Sequence, residues 1–141
     1  MSIAEQLTMQ MLAKCKNYKK AILNITRDIE AIEEEIYSLK PINFDTIKGG
    51  GKGNYRLEDK IQEKKDLETI LRSNVVRLSN IELTIRQLKD TETVQILINL
   101  YINDIQNITQ LEEKLHLSRS TIYRKRDKGL KDLSDIMWGA I

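Results

Sequence analysis

The chain has 141 residues, of which 31% are charged and 5% aromatic, with one proline and a formal net charge of +2. That length fits one domain, or a small domain with an appendage, and the composition suits helices with charged faces better than a large globular core. No apolar run approaches the ~20 residues of a membrane helix, and the lone Cys15 excludes an internal disulfide and a usual cysteine zinc site. The opening MSIAEQLTMQ has no basic region followed by an apolar block, so no signal peptide is expected and the expected compartment is the cytoplasm.

Residues 2–39 contain neither glycine nor proline. Their apolar positions are Met11, Cys15, Tyr18, Ile22, Ile25, Ile29, Ile32, Ile36 and Leu39, at gaps alternating four and three. That is a heptad seam, and it predicts one coiled-coil helix roughly 55 Å long. Pro41 is expected to stop it, because the residue before a proline avoids helical geometry. Residues 41–54, PINFDTIKGGGKGN, read as a glycine-rich loop. The loop lacks the spacing of a phosphate-binding motif and has no strand before it.

A second long helix is predicted over 55–89. Its seam runs through Leu57, Lys64, Leu67, Leu71, Asn74, Leu78, Ile81, Ile85 and Leu88, with Lys64 and Asn74 as polar register markers. Two seams of similar length joined by a loop predict an antiparallel hairpin over residues 1–90. The competing arrangement is a homo-oligomer in which each seam meets its copy.

The third helix, about 91–103, is apolar nearly all round (Val94, Ile96, Leu97, Ile98, Leu100, Tyr101, Ile102) and so belongs in a core. Residues 91–141 then form a small C-terminal domain. A short helix at about Thr109 to Leu115, a turn at His116-Leu117 and a second helix capped by Ser118 read as a helix-turn-helix. From Ser118 to Lys131 the second helix carries Arg119, Arg124, Lys125, Arg126, Lys128 and Lys131 against a single acid, Asp127. Segments 1–40 and 55–90 are close to neutral by comparison. Positive charge gathered on one capped helix points to double-stranded DNA as the partner. The fold class is therefore all-α: a long antiparallel coiled-coil hairpin followed by a DNA-binding helix-turn-helix.

With Ile122, Leu130 and Leu133 facing inward, Ser120, Thr121, Arg124, Asp127, Lys128 and Lys131 face out. Ser120, Thr121 and Arg124, near the helix start, are placed to read base edges. Ser118, Arg119, Tyr123, Lys125, Lys128 and Lys131 are expected to meet the phosphate backbone. Leu133, Ile136, Met137 and Trp138 are expected to pack back on the small core, with a partner-binding use of Trp138 as the alternative. No catalytic constellation, metal cluster or cofactor motif stands out, so an enzyme is not expected.

The pattern in which the apolar helix VQILINLYIND is followed by a motif with the core LSRSTIYR is similar to region four of bacterial sigma factors. The layout of the whole chain resembles the phage late transcriptional regulators of the RinA and ArpU kind. That resemblance implies a regulator of phage or prophage genes that activates transcription with host RNA polymerase. Two alternatives stand beside it: a DNA-packaging subunit like the small terminases, and a coiled-coil partner-binding protein without DNA binding. This chain departs from the family pattern at Glu112, where alanine is usual, at His116, where glycine is usual, and at Gly129, where alanine is common. Arg126 is expected to pair with Glu112 or Glu113.

Overall fold

A computed structural model of the chain describes residues 1–39 and 52–139. The helical elements, in order, are α1 (Ile3–Leu39), α2 (Lys52–Ile85), α3 (Thr91–Leu97, running into a π-helical turn at Ile98–Ile102), α4 (Ile108–Leu115) and α5 (Arg119–Trp138). No strand occurs among the described residues, and none of their helices is long and apolar enough to cross a membrane. The architecture is the all-helical hairpin followed by a small helical domain that the heptads predict. Helix α2 runs from Lys52 to Ile85, starting three residues before the expected start and ending four residues before the expected end at 89. The expected helix stop at Pro41 and the glycines at 49–51 of the expected loop lie outside the described residues.

The chain divides into two compact units, Lys20–Val75 and Met1–Lys19 with Val76–Ile141. In Lys20–Val75 the seam of α1 is buried at Ile29, Ile32 and Ile36, while Leu23 and Tyr37 off the seam are exposed. The antiparallel register is marked by two cross-helix ion pairs, Lys60 with Glu35 at 2.9 Å and Lys64 with Glu33 at 3.5 Å. Lys64 thus ties one helix to the other from its seam position. Asn74 does not: its amide donates to the Ile70 carbonyl of its own helix at 2.9 Å.

The second unit differs from a division at residue 90, for a physical reason. Leu12 and Cys15 of α1 and Ile81 and Ile85 of α2 share one core with Val94, Leu97, Ile98 and Ile102 of α3 and Leu133 of α5. The other side of α3 presents Ile96 and Leu100 to Leu111 of α4 and Ile122 of α5. Helix α3 is therefore covered on both sides, as its all-round apolarity requires. Burial pushes the Cys15 thiol up to about 11, which leaves it an unreactive core group.

Local chemistry sets the ends of α3. Helix α2 closes with tightened bonds, Gln87 N–H to Thr84 and Leu88 N–H to Ile85. Asp90 then caps α3, accepting from the Glu92 backbone at 3.3 Å and the Thr93 hydroxyl at 2.8 Å. At the far end the π-helical turn directs the Asn103 N–H to Ile98, and the Gln106 side chain donates to the Leu100 carbonyl.

Helix α5 approaches α3 closely at the buried Gly129. A Cβ built there would lie 2.4 Å from Thr93 Cγ2 and 3.3 Å from Leu97 Cδ1. The Thr93 methyl cannot easily turn aside, because the Thr93 hydroxyl is held by Asp90. The C-terminal end of α5 is fixed by a buried polar cluster. Trp138 Nε1 donates to Thr8 Oγ1 at 3.1 Å, and Thr8 and Ser134 share a hydrogen bond of 2.9 Å. Thr8 is a seam residue that an apolar pattern does not reveal. Leu133 is fully buried as expected, whereas Ile136 is 41% exposed and does not join the core.

Gly129→Ala sets two effects against each other. Helix propensity favours alanine by about 1 kcal/mol, while overpacking costs about 1–3 kcal/mol. With a methyl group only 2.4 Å away the clash is expected to win, giving a net loss of about 1 kcal/mol in urea unfolding. A stabilised variant would show that α3 and α5 are not in tight contact here.

Candidate nucleic-acid interface

The helix-turn-helix is assembled by capping at both starts and a left-handed residue between. Asn107 opens α4, its side-chain oxygen accepting from the Thr109 N–H at 2.9 Å and the Gln110 N–H at 3.3 Å. His116 ends α4 at φ 56 and ψ 41, the left-handed conformation for which glycine is usual at this point of the motif. Ser118 then takes an extended backbone and caps α5, accepting from the Thr121 N–H at 3.3 Å. Leu111 and Ile122, both fully buried, lock the two helices over Ile96 and Leu100.

The six cations of α5 have different neighbours. Arg119 reaches back to Glu112 at 3.2 Å. Lys125 is bracketed by Asp90 at 2.9 Å and Glu92 at 2.6 Å, with only 20% of its side chain exposed. Arg126 pairs with Asp127 at 3.0 Å and lies 5.0 Å over the Tyr123 ring. This corrects the expected Arg126 pairing. The α5 residue that meets Glu112 comes from the first turn, two turns before Arg126, and no pair joins Arg126 to Glu112 or Glu113 among the described residues. Glu112 is therefore answered at the rim of the motif and does not disturb its core.

Arg124, Lys128 and Lys131 remain exposed, with no ion pair among the described residues. Their spacing of four and three puts them on one stripe of α5, continued toward the helix start by exposed Ser120. Thr121 is half-buried, and its hydroxyl accepts a 2.8 Å hydrogen bond from Ser118, so it sits at the edge of the stripe. Ser118 and Tyr123 are exposed beside it. Of the positions expected to face DNA, the structure brings Ser120, Arg124, Lys128 and Lys131 together. It commits Lys125 to α3 and Arg119 to α4. The spacing within α5 could not reveal the Lys125 tie, because its partners lie more than thirty positions earlier in the chain.

Beside the stripe a groove of about 720 Å³ runs between α5 and the α2–α3 turn, bounded by Arg124 and Lys128 at one end and by Asp132, Asp135 and Ile136 at the other. Charge along this side of α5 thus changes sign after Lys131. No group of three or more His, Cys, Asp or Glu suited to a metal occurs among the described residues.

The Lys125 ammonium, then the Thr93 hydroxyl, holds the Asp90 carboxyl down to about 2 from 3.8. A depressed carboxylate contributes stability that is present above its unfolded pKa and lost as pH falls through the folded value. Lys125→Met is therefore expected to destabilise the protein by a constant amount near neutral pH. The difference should shrink between pH 4 and pH 2, read from urea unfolding at a series of pH values. A difference independent of pH down to 2 would show that the pair adds nothing. His116→Gly tests the turn. Left-handed geometry costs a residue with a Cβ about 1–2 kcal/mol, and glycine's freedom in the unfolded chain returns about 0.4–1 kcal/mol. The expected outcome is a gain of up to about 1 kcal/mol in unfolding free energy.

Comparison with known proteins places the chain in a family. No curated protein and no solved structure matches it significantly. The family model described as "Protein of unknown function (DUF1492)" matches residues 38–134, from the end of α1 into the last third of α5. Because that match covers well over half of the 141 residues, the chain belongs to the DUF1492 family.

Proposed function

We propose that this protein is a sequence-specific, double-stranded-DNA-binding regulator of phage or prophage transcription, acting in the bacterial cytoplasm with host RNA polymerase as a second partner. One observation carries the DNA part: the unpaired stripe of Ser120, Arg124, Lys128 and Lys131 on a capped helix that a short preceding helix sets in place. In the major groove, the first turns of α5 would read bases through Ser120 and Arg124. Arg124 is suited to grip a guanine through two hydrogen bonds, worth about 1–3 kcal/mol of discrimination. Lys128 and Lys131, farther along, would meet phosphates and set register. The regulatory direction, activation of late genes, rests on the resemblance to the RinA and ArpU regulators.

A partner-binding protein without DNA binding drew its support from a charge at Glu112, where the motif normally needs a small residue. The 3.2 Å pair of Arg119 with Glu112 at the rim favours the DNA reading over that one. No observation of its own favours a packaging subunit.

Genome-wide mapping of binding sites, matched to transcript changes, would supply the operator. On that operator, Arg124→Ala is expected to relax sequence preference at one position. Lys128→Ala should weaken specific and random DNA alike and reduce the salt slope by about one. Lys125→Met is expected to change the salt slope little, since Lys125 is already neutralised within the fold. Equal losses on specific and random duplexes from Arg124→Ala would remove its base-reading role. Absence of salt-sensitive binding to any duplex would overturn the proposal.

A further inference from the structure

A second groove, of about 520 Å³, lies in the same compact unit as the helix-turn-helix. Its walls come from α1, the end of α2 and the last turn of α5: Met11, Tyr18, Ile136, Met137 and Trp138 supply the apolar part, and Arg77 with Asn80, Thr84 and Gln87 the polar edge. Tryptophan, tyrosine, methionine and arginine are the types enriched where proteins bind proteins. This wall gathers the only tryptophan of the chain and two of its four methionines. Methionine adapts its shape to an incoming side chain, and Ile136 stands 41% exposed at the rim. Arg77 is the only charged residue of the wall, and it has no ion pair among the described residues; Asp132 and Asp135 line the adjoining groove on the far side of Ile136.

We infer that this groove docks an amphipathic helical segment of a partner protein, one that presents apolar anchors flanked by carboxylates. The apolar anchors would fill the space among Met11, Tyr18, Met137 and Trp138, and a carboxylate would answer Arg77. A groove between helices that receives one apolar helix face is a recurring recognition mode. Trp138 is suited to act as an anchor contact because its indole N–H is already satisfied by Thr8, so only its apolar surface needs cover. The DNA-facing stripe stays clear: Trp138 lies roughly 21 Å along α5 from Arg124 at about 1.5 Å per residue. The inference does not rest on DNA binding and is tested without it.

Because Trp138 is the only tryptophan, its emission reports the groove directly. The probe is a pair of labelled amphipathic helical peptides with the same leucine face, one flanked by glutamates and the other by lysines. The full chain is titrated with each, following Trp138 emission and the anisotropy of the label. The acidic peptide is expected to give a saturable blue shift and the basic one a much weaker response. Arg77→Glu should weaken the acidic peptide about tenfold and strengthen the basic one, since reversal replaces an attraction with a repulsion of like size. Ile136→Asp should weaken both while leaving the unfolding midpoint near that of the parent. Equal affinity for the two peptides, or no saturable response to either, overturns the inference. So does a blue shift that grows with protein concentration alone, which would assign the groove to a second copy of the chain.

Discussion

A short helix that is apolar on nearly every side cannot be covered by one neighbour, and α3 imposes that condition on the whole C-terminal unit. Its Ile96 and Leu100 need cover on one side, and its Val94, Leu97, Ile98 and Ile102 on the other. Each of these side chains gains about 1.5–3 kcal/mol from full burial, so neither side can be left open cheaply. The helix-turn-helix covers the first side. The N-terminal part of α1, the C-terminal part of α2 and Leu133 cover the second. This is why Met1–Lys19 belongs to one compact unit with Val76–Ile141, more than fifty positions later in the chain. A C-terminal fragment cut at residue 90 would expose the second side of α3.

Charge follows the same logic of location over count. Helix α5 has six cations, but their roles depend on what the fold places beside them. Asp90 is fixed by its duty as the cap of α3, and once fixed it draws in Lys125. Glu112 is fixed by the position of α4 and draws in Arg119. What remains for an external partner is Arg124, Lys128 and Lys131. The net basicity of the segment overstates the cationic surface on offer, whereas the alignment of the remainder on one stripe makes it more specific.

The residues that announced themselves in the sequence did so through local rules. Heptads from Met11 to Leu39 and from Leu57 to Leu88 identified both long helices, because burial along a seam repeats every seven residues. Ser118 as a cap and His116 as a left-handed residue follow from neighbours within a turn or two. Hidden were features that depend on distant parts of the chain. Gly129 is explained only by Thr93 and Leu97 across the helix interface. Thr8 is buried because Ser134 and Trp138 satisfy its hydroxyl. A helical wheel puts Arg126 toward Glu112 or Glu113, but a wheel gives the angle of a residue and not how far along the neighbouring helix it lies.

Helix α5 is one unbroken rod from its Ser118 cap to Trp138, and this gives its two ends a fixed relation. The exposed, unpaired cations Arg124, Lys128 and Lys131 occupy its middle turns. Asp132 and Asp135 follow immediately, and the aromatic and methionine-rich groove begins at Ile136. A polyanion lying along Arg124, Lys128 and Lys131 would be repelled from going farther by the two aspartates. An acidic partner segment would be repelled by the same aspartates from moving toward the cations and held instead by Arg77. Two negatively charged ligands can thus be kept apart on one helix by a pair of acids between them, with no moving part. The hydrogen bond from Trp138 to Thr8 and the close packing at Gly129 join that helix to α1 and α3.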